Sequence, residues 1–284
     1  PMVLMPRFDA GQVLDLIEKY KVSFFPAVPT MMVALLDHPE MRNTDFSSLI
    51  AVISGGAPLP KEVAREFKRI SSADLVEGYG LSEASPVTHS NPVKPKKIKQ
   101  IIGSIGLPIA DTYAKIVDPE DFNTMKDFNE VGELCIKAPQ VMKGYWDDEE
   151  NTEKALVDGW LRTGDLAKMD EKGYFYIVDR KKDIIIVSGY NVVPRDIEEV
   201  LYEHPAIKEA AVAGLPDPKK GEIVAAWIVL KQDASLSKEE LLDYCRENLA
   251  PYKLPKQIIF RDELPKSMIG KILRRELVEQ HENQ

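Results

Sequence analysis

Between Asp9 and Gly80 the sequence alternates amphipathic stretches with short apolar runs that close on glycine, and few folds accommodate that order. Asp9 is placed to cap a helix in which Val13, Leu16, Ile17 and Tyr20 fall at helical spacing, and KVSFFPAVP then reads as a buried strand. LIAVISGG is a second strand, PKEVAREFKRI a helix with Pro60 near its start, and ADLVEGYG a third strand ending in a turn. Such alternation predicts a parallel α/β layer over residues 1–95, with any ligand at the carboxyl ends of its strands.

After NPVKPKKIKQ the pattern changes. YAKIVD, GELCIK and GYFYIVD are short strands broken by Gly, Pro and Asp, and predict a small β-barrel or distorted sheet over 101–178. Past DRKKD come DIIIVSG, the helix PRDIEEVLYEH with Pro194 in its first turn, the strands KEAAVAG and EIVAAWIVL, and a helix opened by Ser237 and Glu240 at capping-box spacing. A chain of 284 residues that is 44% apolar supports two domains, here 1–180 and a compact α+β domain over 181–284.

Several function classes drop out. The net charge of -9 and the absence of a long basic block argue against a nucleic-acid partner. Cys135 and Cys245 are the only cysteines, so neither a disulfide framework nor a cysteine metal pair is indicated, and a cytoplasmic setting is the simplest. The four histidines are too scattered for a zinc site, and no apolar run approaches the roughly 20 residues of a membrane span. The opening PMVLMPRFDAG lacks the order of a signal peptide and reads as the interior of a longer protein.

Three glycine-bearing turns are expected, SGGAPLP (54–60), EGYGLSEASP (77–86) and GWLRTGDLA (159–167). Two of them at adjacent strand ends can admit a flat base, although each alone is an ordinary turn. Tyr79 offers a stacking face. Ser82 and Glu83 suit Mg²⁺ beside a phosphate, or equally a helix cap. Asp165 can accept from ribose hydroxyls or serve as a turn aspartate, and Arg180 and Lys182 are either phosphate contacts or a solvated run. Lys271, after Gly270, is a mobile point charge suited to a phosphoryl or carboxylate oxygen, or a surface lysine before a basic helix.

Taken in order, SGGAPLP, GYGLSE, GSIGLP, GELCIKAPQVMKGYW, GWLRTGDLA, YIVDRKKDIIIVSGYNVVPRDIEEVL and PKSMIGKILRREL closely resemble the adenylate-forming acyl-CoA synthetase superfamily, in its fatty acyl-CoA ligase and luciferase branch. The resemblance implies a fold made of part of a large adenylate-forming domain followed by a mobile C-terminal domain. It implies a reaction of ATP, a fatty acid and coenzyme A with Mg²⁺. Gly55, Gly56, Ala57, Tyr79 and Gly80 would line the adenine site, Ser82 would lie near the phosphates, and Glu83 would hold the metal. Asp165 would hold the ribose, Arg180 would support the ribose and phosphate side, and Lys271 would bridge the carboxylate and the α-phosphate. Lys182 would be a hinge, Gly189 would line the coenzyme A channel, and Gly78, Pro86 and Val87 would border the acyl pocket. The lysines of KPKKIK either meet coenzyme A phosphates or are solvated.

Two departures accompany the match. Ala138 stands where many relatives have glycine, and the Ser/Thr/Gly-rich phosphate loop is missing, with no G-x-x-x-x-G-K-[ST] segment in its place. The resemblance therefore implies a C-terminal portion that is inactive alone, with an exposed sheet edge or apolar face that promotes a homodimer or aggregation. It is compatible with peripheral membrane association. Alternatives are an aryl-CoA ligase, a luciferase-like adenylating enzyme, an amino-acid-activating domain, and a non-catalytic interaction module of the same fold.

Overall fold

Asp9 does cap the first helix: its carboxylate accepts the Gln12 amide at 2.8 Å and starts α1 (Ala10–Tyr20). The computed structural model describes residues 1–93, 98–267 and 270–282, and the chain forms two compact units, Pro1–Val178 and Asp179–Gln284.

In the first unit β1 (Phe24–Ala27), β2 (Ala51–Ser54) and β3 (Asp74–Gly80) are parallel neighbours. Between them run α2 (Pro29–Leu36) and α3 (Lys61–Ser71), whose Met32, Leu35, Ala64 and Phe67 are buried. The sheet is mixed, not purely parallel as expected. β4 (Val87–Ser90) turns back antiparallel to β3, and β5 (Leu107–Pro108) pairs with β4. The reversal is local: Ser85 adopts a left-handed conformation and Leu81 N donates to Pro86 O at 2.8 Å. Phe24 on the edge strand β1 and Ile53 on its neighbour β2 remain exposed.

The expected small barrel takes the form of an antiparallel sheet in the order β10 (Phe175–Arg180), β9 (Trp160–Met169), β7 (Gly132–Lys137), β6 (Tyr113–Val117), with β8 (Leu156–Val157), preceded by α4 (Glu149–Ala155), pairing with β9. Gly106 bridges Phe175 and joins this sheet to the first. GWLRTGDLA is not a turn between elements. It lies in β9 as a bulge, because Glu133 pairs with Leu166 while Cys135 pairs with Arg162, so β9 carries two extra residues opposite β7.

The second unit is one sheet between helices. β11 (Ile185–Val187) and β12 (Tyr190–Val192) form a hairpin beside the long pair β13 (Ile207–Asp217) and β14 (Gly221–Leu230), and β15 (Gln257–Phe260) runs parallel to β14. Alternation along β14 divides the core. Val224, Ala226 and Ile228 pack with α5 (Pro194–Glu203) and α6 (Lys238–Asn248), whereas Ala225, Trp227 and Val229 pack with Leu277 of α7 (Arg274–Glu282). The capping box expected at Ser237 and Glu240 is present. The helix after Lys271 is not basic throughout, since Glu276, Glu279 and Glu282 follow its two arginines.

Candidate active site

Three strand segments of the first unit carry most of the expected site. Ser54 pairs with Glu77, which sets Gly55 beside Gly78; a Cβ on Gly55 would stand 3.6 Å from the Gly78 carbonyl oxygen. Gly56 follows at φ +80°, a conformation that favours glycine, and Ala57 continues the turn. Gly80 ends β3 where a Cβ would run into the Pro86 backbone, so only glycine lets the chain fold back there. Two glycine-bearing strand ends are thus neighbours.

Tyr79 connects this edge to the antiparallel sheet. Its ring packs against the cluster of Ile105, Leu134, Ile136 and Phe175, and its hydroxyl donates to Asp165 Oδ2 at 2.5 Å. Asp165 owes its position to the bulge. Gly164 N donates to Glu133 Oε1 at 3.1 Å, Thr163 Oγ1 donates to Leu134 O at 2.8 Å, and Asp165 N donates to Thr163 Oγ1 at 3.1 Å. Buried Glu133 is held in turn by Arg162, and this hydrogen-bonded pairing raises the Arg162 pKa. A carboxylate can accept about four hydrogen bonds, so the bond from Tyr79 does not by itself fill it.

Beneath Tyr79 lies His89, a residue the sequence reading passes over. Its ring meets Phe175 and Tyr79 edge-on at 4.7 and 6.1 Å, Nδ1 is 3.0 Å from Thr88 Oγ1, and buried Nε2 has no hydrogen-bond partner among the described residues. Burial lowers its pKa from 6.5 to about 3. As pH falls below 6.5 the unfolded chain therefore takes up a proton that the folded unit refuses. His89 destabilises nothing above that point, and stability falls as the pH drops toward 3, by up to roughly 1.4 kcal/mol per pH unit. We expect urea unfolding of the first unit to lose about 2 kcal/mol more between pH 7.5 and 4.5 in the parent chain than in His89→Leu. Equal losses would remove this account.

Ser82 and Glu83 lie in a short 3-10 helix. The cap reading fails for Glu83: Tyr145 O–H donates to Glu83 Oε1 at 3.0 Å, and Met142 N donates to the Glu83 carbonyl at 2.7 Å. Burial first and then Glu83 raise the Tyr145 pKa, so Tyr145 stays a donor. One carboxylate beside an exposed serine fits a Mg²⁺ held mainly by phosphates and water. It does not make a protein cage, and no group of three metal-ligating side chains occurs among the described residues. Pro86 and Val87 are exposed at the start of β4.

Arg180, Lys182, Gly189 and Lys271 belong to the second unit. Arg180 N donates to Asp179 Oδ1 at 2.8 Å, and Lys182 lies in the short 3-10 helix that follows. Ser188 and Gly189 both have positive φ and form the two-residue turn between β11 and β12. Lys271 N donates to Ser267 Oγ at 3.1 Å and Ser267 N donates to the Lys271 carbonyl at 2.8 Å, with Gly270 at φ +76°. Of the KPKKIK lysines, Lys94, Lys96 and Lys97 lie outside the described residues. Tyr145, Glu133 and Arg162 escape sequence reasoning because each partner is remote in the chain.

Adjacent glycine strand ends and a tyrosine-braced carboxylate thus share one edge of the first unit. The chain belongs to the AMP-binding enzymes, whose family model matches residues 1–146. The AMP-binding enzyme C-terminal domain model matches residues 196–271. In particular, the chain is similar to a long-chain-fatty-acid–CoA ligase of Bacillus subtilis (strain 168), with 52% identity over 279 residues, covering 98% of this chain and 49% of that protein. A long-chain-fatty-acid–CoA ligase of Escherichia coli O6:H1 is 46% identical, covering 97% and 48%. Among solved structures, ATP-bound MatB from Rhodopseudomonas palustris matches with a TM-score of 0.91 at 33% identity, covering 99% of this chain and 55% of that one. The anthranilate CoA ligase AuaEII with anthranoyl-AMP matches at 0.89 and 32%, covering 98% and 54%. The chain spans about half the length of the relatives it matches. No helix among the described residues is long and apolar enough to cross a membrane.

Proposed function

We propose that this chain provides the adenylate-holding surface and the lysine-bearing C-terminal domain of an ATP-dependent fatty acid–CoA ligase. The observation that carries the reading is the Tyr79–Asp165 hydrogen bond beside the paired glycines, a rigid arrangement with a flat face and a diol acceptor. The names of the relatives near 50% identity favour a fatty acid over an aryl acid.

In this reading a carboxylate oxygen attacks the α-phosphorus of ATP and pyrophosphate leaves. The thiol of coenzyme A then attacks the acyl carbon, loses its proton and releases AMP. Gly55, Gly56, Ala57 and Gly80 admit the adenine, Tyr79 stacks on it, and Asp165 fixes the ribose with support from Arg180. Ser82 and Glu83 face the phosphates. Mg²⁺ bound by Glu83 would supply charge neutralisation on the triphosphate. Lys271 balances negative charge between carboxylate and α-phosphate, and the barrier falls through alignment and electrostatics without a covalent enzyme intermediate. Lys182 serves as the pivot of the C-terminal domain, Gly189 lines the pantetheine path, and Gly78, Pro86 and Val87 border the acyl group. Exposed Phe24 and Ile53 on the edge strand and its neighbour support self-association.

The isolated chain is expected to bind but not to turn over. Calorimetry with a hydrolysis-resistant dodecanoyl-adenosine sulfamate should show saturable binding, with no pyrophosphate released from ATP and dodecanoate. Absence of binding would overturn the reading, and pyrophosphate release at ordinary ligase rates would overturn the claim of inactivity.

A further inference from the structure

The bulge in β9 leaves backbone amides to be satisfied. Between the register pairs Glu133–Leu166 and Cys135–Arg162, the residues Thr163, Gly164 and Asp165 of β9 stand opposite Leu134 alone. One facing peptide cannot serve all of them, yet backbone amides away from water seldom go unpaired. Two side chains take over. Thr163 Oγ1 donates to the Leu134 carbonyl at 2.8 Å and accepts the Asp165 amide at 3.1 Å, and Glu133 Oε1 accepts the Gly164 amide at 3.1 Å.

The two oxygens of Glu133 face different donors, and this fixes the carboxylate. Oε2 accepts Arg162 Nε at 3.0 Å and also Nη2, and Nη2 donates in addition to the Pro119 carbonyl, at 3.0 Å, in the loop after β6. The Glu133 side chain is only 4% exposed. A guanidinium tied at a second point holds the plane of the carboxylate, and a fixed plane sets where Oε1 meets Gly164. Crowding does not set that backbone. Gly164 lies at φ +71° with nothing within 4 Å of a Cβ, so the bonds to Glu133 and Thr163 confine the bulge. The residue that follows is Asp165, which accepts the Tyr79 hydroxyl.

We infer that Glu133 and Thr163 are positioning residues: they hold the bulge so that the Asp165 carboxylate meets the ribose diol of the adenylate, and they thereby set how strongly the site prefers ribose to a sugar lacking both hydroxyls. The inference rests on the role proposed for Asp165, but the bonds that hold the bulge can be measured without any ligand.

Two measurements on the 284-residue chain provide the test: amide exchange read by NMR, and affinity for dodecanoyl-adenosine sulfamate against its 2′,3′-dideoxyribose counterpart. In Glu133→Met, which fills similar space without an acceptor, the Gly164 amide should exchange about tenfold faster and the preference for ribose should fall about tenfold, with β6 and β7 at parental rates. Glu133→Gln keeps one acceptor oxygen and should lie between Glu133→Met and the parent. Parental exchange at Gly164 would overturn the inference. So would equal weakening of both ligands, because a merely structural residue lowers both affinities alike. Should Glu133→Met lose protection throughout β7, Thr163→Val removes only a hydroxyl: the Asp165 amide should then exchange about tenfold faster with the same loss of preference, and parental values overturn the inference. A parent chain that binds neither ligand sinks the proposed function instead, and faster Gly164 exchange in Glu133→Met then upholds the brace without the ribose.

Discussion

Asp165→Ala should weaken binding of the acyl-adenosine sulfamate by about 100-fold, the largest loss expected from one side chain of the first unit. Two hydrogen bonds from ribose hydroxyls to a carboxylate are worth roughly 1.5–3 kcal/mol each, and part of that is offset by water that replaces them. The alanine also strips Tyr79 of its acceptor at 2.5 Å and frees the ring that the carboxylate braces. Asp165→Asn keeps an acceptor for Tyr79 and should retain more affinity than alanine. Titration of all three proteins at one pH checks the order. An alanine variant that binds like the parent would remove Asp165 from the site, and equal losses in both variants would assign the effect to the charge alone.

Gly106→Ala should destabilise the first unit by about 3 kcal/mol, through strain and overpacking together. Gly106 has φ +89°, and a Cβ there would collide with the backbone of Ser90 and Asn91. The collision falls at the junction of the two sheets, where Phe175 N donates to Gly106 O at 3.0 Å and Phe175 packs on His89. Gly164 is the control. Its φ is +71°, but nothing lies within 4 Å of a Cβ, so Gly164→Ala should lose only the conformational part, about 1 kcal/mol. Chemical denaturation of both variants tests the contrast, and similar losses would mean that crowding at the junction does not matter.

Much of the architecture was readable where local chemistry and final structure agree. Asp9 and the Ser237–Glu240 pair mark helix starts because a cap acts on an amide three residues away, a distance that sequence spacing records directly, and Pro194 marks one because its fixed φ and missing N–H suit the first helical position. α2 was missed because PTMMVALL is apolar on every face and so carries no helical period. The turn expected at RTGDL was wrong for a different reason: glycine signals a break in regular pairing, and a bulge breaks pairing without reversing the chain. The glycines and Tyr79 were legible as types. Their supports were not, since Tyr145 reaches Glu83 across 62 residues and Arg274 reaches Asp179 across 95.

The surplus in β9 is an even number. Cys135 faces Arg162 and Glu133 faces Leu166, so the strand leaves the irregularity with the same in-out parity it had on arrival, and Leu161 and Ala167 both turn inward. Length variation here is thereby quantised. Loss or gain of one residue between 162 and 166 would invert every side chain on one flank and drive Ala167 out into water, whereas a change of two keeps both flanks in phase and alters only the reach of the carboxylate at position 165.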